Sequence, residues 1–322
     1  MPAVARPRAP DARPYTSWDR ARLSVVVPIG VIVAVAIVCI VVAVLSSAQR
    51  ADIGAVDHEK QLFSRAITNY GERVLREVES VASAAVTIQN IRRSFDPAWA
   101  RDRVGTWLET YFDHDYVFIF NRDDELIYSL LGSRAADAKW MASARNDFAS
   151  VIEYMRGRDP RLHGGIRLNQ PSLTEGGAHP QSAVIRRVMG KAAVIAAVAV
   201  GPVDGIPQSV DGDAPIIMSV KFIDEAALAS IATQLRLVNL RKIDQVPVPQ
   251  GDLNYDLTGP DGSVIARFAW TPKQPGAEIV HNVVPFIALA LAGFAVLAGL
   301  VLGYMRRTAA TILDQQGYSL EQ

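Results

Sequence analysis

Two uncharged apolar runs constrain this chain more than any other feature in it. Leu23–Leu45 reads LSVVVPIGVIVAVAIVCIVVAVL and Val283–Tyr304 reads VVPFIALALAGFAVLAGLVLGY. Each exceeds the roughly 18–20 residues that a helix rising about 1.5 Å per residue needs to cross about 30 Å of hydrocarbon. A cleaved signal sequence has a shorter apolar region of roughly 7–15 residues. A core helix of a soluble protein rarely stays uncharged for so long. Both runs therefore predict membrane-spanning helices, assigned to residues 23–47 and 282–304.

Arginine placement predicts the orientation. Arg6, Arg8, Arg13, Arg20 and Arg22 precede the first run, and Arg306 and Arg307 follow the second. The other two flanks are poorer in positive charge, with Arg50 and Lys60 on one side and Lys273 on the other. Because positive flanks stay in the cytoplasm, tails 1–22 and 305–322 are expected inside, and residues 48–281 outside, a plasma (inner) membrane. The 33 basic and 33 acidic residues balance, which gives no electrostatic case for nucleic acid. Cys39 is the only cysteine and lies in the first run, so the outer region must fold without a disulfide. At this size a hydrophobic core suffices.

Between the runs the pattern is mixed. Phe63, Ile67, Tyr70, Val74, Val78, Val81, Ala85, Ile88 and Ile91 recur every three or four residues, predicting one long helix with a single apolar stripe. Asp96-Pro97 interrupts it, and a short helical piece follows over 98–112. Tyr116–Phe120 and Glu125–Leu130 predict a hairpin around the turn Asn121–Asp124. Residues 134–157 read as a helix with Ala138, Met141, Phe148, Ile152 and Met155 on one side, and 157–182 as a long loop. Ala192–Val200, wholly apolar, predicts a strand buried on both faces. Pro215–Phe222 alternates, with Ile216, Met218, Val220 and Phe222 on one face and Ile217, Ser219 and Lys221 on the other. Asp224 can cap a helix running to Leu235. A last hairpin, Asn254–Leu257 and Ser263–Phe268, precedes the second span. The expected fold class is α+β, a long N-terminal helix on a mostly antiparallel sheet.

Motifs for catalysis and metal binding are missing. His58, His114, His163, His179 and His281 show no ligand spacing and read as isolated surface or loop residues. Asp123-Asp124 and the Asp211/Asp213 pair read as acidic turns rather than a calcium loop. There is no GxSxG, Walker or dinucleotide fingerprint. No metal or cofactor is expected, and no catalytic residue is assigned.

Three stretches carry a resemblance: Tyr116–Leu131 (YVFIFNRDDELIYSLL), Pro215–Asp224 (PIIMSVKFID) and Gly259–Gly276 (GPDGSVIARFAWTPKQPG). They are similar to the fourth type of CHASE domain, a periplasmic sensor with a PAS-like or Cache-like plan. It occurs ahead of GGDEF and EAL modules in bacterial cyclic-di-GMP signalling receptors. The likeness spans about residues 50 to 310, with FAWTPKQPG read as its most specific part. It implies a membrane-anchored input module, a homodimer, and a small-molecule or protein signal. The residues after Tyr304 contain no GG(D/E)EF, EAL or phosphotransfer histidine, so no enzyme activity is carried over. The expectation is a fragment of a longer receptor, or a stand-alone input module. A structural or partner-binding envelope protein that senses nothing is the alternative.

In PAS-like domains a ligand sits between the sheet and the segments crossing it. The polar residues able to face such a space here are Tyr128, Ser219 and Lys221 from strands, and Tyr154, Arg156 and Arg158 near a helix end. The cations among them would suit an anionic ligand. Ordinary packing stands beside this reading: Lys221 in solvent, Tyr128 in the core, the arginines on the surface, and Trp140 and Trp270 as packing or interfacial anchors.

Overall fold

The computed structural model describes residues 17–132, 138–158, 166–167, 180–201, 214–244, 249–259 and 262–318. The N-terminal tail, most of the expected loop 157–182 with His163 and His179, the segment with Asp211 and Asp213, and the last four residues lie outside that range. The chain divides into two compact units, Val56–Pro272 and Met1–Ala55 with Lys273–Gln322.

The first helix, α1 (Ser17–Ala82), has 66 residues, and its part from Val56 onward belongs to the larger unit. Phe63, Ile67, Val74, Val78 and Val81 are buried along it, as the three-and-four spacing predicts. The stripe does not continue to Ile91 as one helix. Ala84 is extended (ψ 134°) and Ala85 is exposed. Near the break the hydroxyls of Ser80 and Ser83 donate to the carbonyls of Glu77 and Glu79, each at 2.7 Å. Such bonds offer the backbone an alternative to helix. The chain resumes as α2 (Ala85–Thr87) and a π-helical turn, Ile88–Arg93, that returns Thr87 and Ile91 to the interior. Asp96 caps α3 (Pro97–Ala100) by accepting the Ala98 and Trp99 N–H groups at 2.9 and 3.0 Å. A second π-helical turn, Arg101–Gly105, leads into α4 (Thr106–Phe112).

The principal sheet contains β1 (Tyr116–Phe120), β2 (Leu126–Leu131), β3 (Ile166–Arg167), β4 (Gln181–Val188), β5 (Lys191–Ala199) and β6 (Ile216–Phe222), with α5 (Ala138–Met155) between β2 and β3. The order is β2-β1-β6-β5-β4-β3, antiparallel at every pairing. The apolar run of β5 after Lys191 is explained by cover on both faces. Val194, Ala196 and Val198 join the cluster of Phe63, Ile67 and Val78, whereas Ala193, Ile195 and Ala197 join that of Phe148, Val151 and Met155 from α5. Each large aliphatic side chain so buried contributes about 1.5–3 kcal/mol.

β4 lies partly within the expected loop and the sequence pattern does not announce it. Arg186 and Arg187 break its apolar run, yet both are tied down. Arg186 donates to Ser150 Oγ at 2.7 Å, and Arg187 to the carbonyl of Val264 at 2.9 Å. The turn to β5 is Met189-Gly190, both with positive φ (48° and 82°), as a two-residue hairpin requires.

The last hairpin does not extend this sheet. After α6 (Glu225–Leu235), capped as expected by Asp224 on the Ala227 N–H at 2.8 Å, the chain builds a separate sheet. It comprises β7 (Val238–Lys242), β8 (Leu253–Thr258) and β9 (Val264–Thr271) in the order β7-β9-β8. The Phe63 ring packs against Tyr255, Phe268 and Trp270, with centroids 5.3, 5.2 and 5.2 Å away. Trp270 is fully buried and donates from its indole N–H to Glu59 at 2.9 Å. It is a core residue, not an interfacial anchor.

In the smaller unit α7 (Pro275–Tyr318) meets the first part of α1. Both helices are long and apolar enough to cross a membrane. Their apolar side chains point outward: Val38 is 60% exposed and Leu289 72%. Core helices of a soluble protein bury such residues. Asp52 on α1 accepts the Gly276 N–H at 2.7 Å, satisfying a donor that the first turn of α7 leaves open.

Candidate functional site

A polar cluster lies beneath α1 where its Glu77 meets the principal sheet. The residue after α4, Asp113, adopts a left-handed conformation (φ 53°, ψ 42°), and the next residue, His114, turns inward with none of its side chain exposed. His114 Nε2 lies 2.9 Å from Glu77 Oε2, and Nδ1 bonds the hydroxyl of Ser219 on β6. Ser219 Oγ is also 3.2 Å from the carbonyl of Tyr116 on β1. With Glu77 ionised, neutral His114 donates from Nε2 and accepts the Ser219 proton at Nδ1. Burial pushes the imidazole below its ordinary value of 6.5, the Lys221 charge adds to this, and Glu77 opposes it without prevailing.

Lys221, also on β6, donates from Nζ to the carbonyl of Phe112 and sits 5.8 Å over the Tyr70 ring. Tyr70 donates to the carbonyl of Phe222 at 3.3 Å. Asp115 accepts the Phe222 N–H at 2.7 Å. Burial raises the Asp115 carboxyl above its usual range, with Asp224 adding to the rise. It raises the Tyr70 phenol too, reinforced by the charges of Asp224, Asp115 and Glu77. A serine, histidine and carboxylate in series can move a proton. Ser219 is fully buried, however, so its hydroxyl meets no substrate from solvent.

A second polar group lies at the end of α5. Arg156, with 5% of its side chain exposed, donates to Asp124 at 2.7 Å, to the Ala214 carbonyl at 2.6 Å and to the Asn121 carbonyl at 2.5 Å. Arg158 bonds the other Asp124 oxygen and lies 2.9 Å from Glu153. Burial raises the Asp124 carboxyl, but the guanidiniums of Arg158 and Arg156 outweigh it and hold the group below its usual range. Asp124 (φ 61°) belongs to the β1–β2 turn, as the acidic-turn reading expects.

The six residues expected to face a ligand thus separate. Ser219, Lys221 and Tyr128 lie with the cluster packed by α1, whereas Tyr154 packs in the α5 cluster and Arg156 and Arg158 clip the β1–β2 turn. The Tyr128 ring is packed on Gly105, where an added Cβ would fall 2.0 Å from its oxygen. Its hydroxyl is buried without a partner, and burial pushes its pKa up to about 12. A cavity of about 100 Å³, lined by Ser64, Thr68, Tyr255, Asp256 and Thr258 among others, is well below the roughly 300 Å³ at which ligand pockets begin.

Glu77, His114, Asp115 and Tyr70 are missed by sequence reasoning, and His114 is no surface residue. Two signals could have found them. His114-Asp115 directly precedes a strand buried from Val117 to Phe120, and Glu77 sits beside the apolar stripe at Val74 and Val78. Among the described residues no group of three or more His, Cys, Asp or Glu could hold a metal ion.

A helix-backed antiparallel sheet with a buried polar network, in a chain that also has two membrane-length helices, defines a membrane-associated α+β domain. Residues 66–242, more than half of the chain, match the CHASE4 domain. The chain belongs to the CHASE4 family of sensor domains. Tyr116–Leu131 and Pro215–Asp224 lie inside the match. Gly259–Gly276 lies beyond it, so the stretch read as most specific is not what carries the family. No curated protein matches the chain.

Proposed function

We propose that this protein is a membrane-anchored sensory input module. Its domain, residues 48–281, lies in the periplasm between spans 23–47 and 282–304, with both tails in the cytoplasm. The observation that carries this is the unbroken α1. One helix is apolar and outward-facing in its first half, and in its second supplies Phe63, Ile67, Val74 and Val78 to the core of a sensor domain. A change in packing around Glu77 then acts on the same helix that carries the first apolar run, an element of the kind that passes on such switches. The arginine-rich tails support the orientation. The antiparallel sheet, with its last strand seated between β1 and β5 and helices on both faces, supports a PAS-like plan. By resemblance the output is cyclic-di-GMP synthesis or degradation and the working unit a homodimer. Of the expected ligand residues, half-buried Lys221 is best placed for reception, since it sits over the Tyr70 ring of α1.

Alkaline phosphatase fusions test the orientation: one joined after Gly132 is expected to be active and one joined after Tyr318 inactive. Joining the chain to a cyclase domain and inserting two glycines after Ile53 tests the helix. Loss of regulated output supports it. Unchanged regulation, or the reverse fusion pattern, overturns the reading.

A further inference from the structure

The Glu77–His114–Ser219 chain ties together parts of the fold that are far apart in sequence: α1, the α4–β1 corner and β6. His114 is the one member whose unperturbed pKa falls between about 5 and 8. Charged and titratable groups face it or its partners from every side: Tyr70, Arg73 and Glu77 on α1, Asp115 at the start of β1, Lys221 on β6 and Asp224 after it.

A proton arriving at Nδ1 has a defined consequence. The Ser219 hydrogen must leave Nδ1, and the Tyr116 carbonyl at 3.2 Å is there to receive it. The imidazolium that results is out of water, with the Lys221 ammonium nearby and Glu77 as its bonded counter-charge. A conformation that lets water reach the ring holds this charge at lower cost. To reach it, the turn of α1 bearing Glu77 or the α4–β1 corner must part from β6.

We propose that His114 makes the contact between α1 and the sheet acid-labile, so that protons are a stimulus this domain reads. The inference rests on the sensory reading above and deepens it. The sign follows from linkage. His114 binds its proton less readily in the packed state than in a hydrated one. Its contribution to the packed state is therefore complete above the ordinary value of about 6.5 and is lost as pH falls towards the depressed value. The ratio of open to packed forms grows by up to tenfold for each unit separating the two values.

The test is hydrogen–deuterium exchange on the full chain in nanodiscs, at pH values of about 7.5 and about 5 that bracket the histidine range, with labelling times scaled for intrinsic exchange. Peptides around Glu77 and around His114 are expected to exchange severalfold faster at the acid end, with peptides of β5 unchanged. His114→Gln keeps an amide donor toward Glu77 and cannot titrate, so its exchange is expected to be independent of pH. Equal wild-type exchange at both pH values overturns the proposal, as does an acid response that persists in H114Q. Should H114Q fail to fold, ¹⁵N-histidine NMR of the wild type decides. The buried ring is expected to titrate below the ordinary histidine value of about 6.5 and in step with the exchange, and a ring that stays neutral throughout refutes it. The exchange can fail while the fusions and the glycine insertion succeed, which marks a sensor of something other than protons. An acid-opened contact combined with failed fusions instead removes the sensory reading.

Discussion

Replacing Arg156 by methionine separates a structural clip from a ligand-binding cation. Among the described residues the guanidinium donates to Asp124, Ala214 and Asn121, at 2.7, 2.6 and 2.5 Å, and its side chain is 5% exposed. Hydrogen bonds involving a charged group contribute about 1.5–3 kcal/mol each, and breaking a buried ion pair costs about 3–5 kcal/mol. Asp124 keeps Arg158 and is 24% exposed, so the lower end applies and about 3 kcal/mol is expected. For a unit of this size that lowers Tm by about 6–12 °C. Arg156→Lys retains the charge but not the planar fork, and is expected to recover less than half of the loss. Thermal unfolding of the detergent-solubilised full chain, followed by near-UV circular dichroism, measures both variants. A methionine variant within about 1 kcal/mol of wild type, the range of a surface pair, refutes the clip and returns Arg156 to the pool of ligand residues.

Tyr128→Phe removes a buried hydroxyl that has no partner, so the same assay should show stability unchanged or raised by about 1 kcal/mol; a clear loss means the hydroxyl is bonded. Trp270→Phe leaves Glu59 without its indole donor in a buried setting and is expected to cost about 2–4 kcal/mol. Urea unfolding measures it, and a loss under 1 kcal/mol contradicts the packing described. Gly276→Ala places a Cβ 2.0 Å from the Ala48 carbonyl oxygen, so α7 must shift off α1. Leu45 and Val284 line the same crevice of about 720 Å³, and in a Cys39→Ser background the disulfide yield between L45C and V284C is expected to fall severalfold. An unaltered yield shows that the close approach is not needed.

Local periodicity made much of the fold legible. An uncharged run of membrane length, a three-and-four stripe, a both-faces-apolar strand and an aspartate cap each declare themselves within a few residues, because each depends on a neighbour one turn or one pleat away. Hence α1, the β1–β2 hairpin, β5, β6, α6 and α7 are readable from sequence. Where side-chain contacts override the pattern, reading fails. β4 is a strand although Arg186-Arg187 interrupts its apolar run, because Ser150 and the β9 backbone hold both guanidiniums. The second sheet separates from the first because Phe63 gathers Tyr255, Phe268 and Trp270 around itself.

The polar network was beyond sequence reasoning for the same reason. Glu77 and His114 are 37 positions apart, and His114 and Ser219 are 105 apart, so no spacing rule connects them. By itself the sequence determined which segments suit lipid, which helix carries a core face and where β6 directs Ser219 and Lys221. Tertiary structure alone decided that a histidine of ordinary appearance lies dry between a carboxylate and a hydroxyl. The environment of a titratable group is set by whatever the fold packs around it, and those partners arrive from distant parts of the chain.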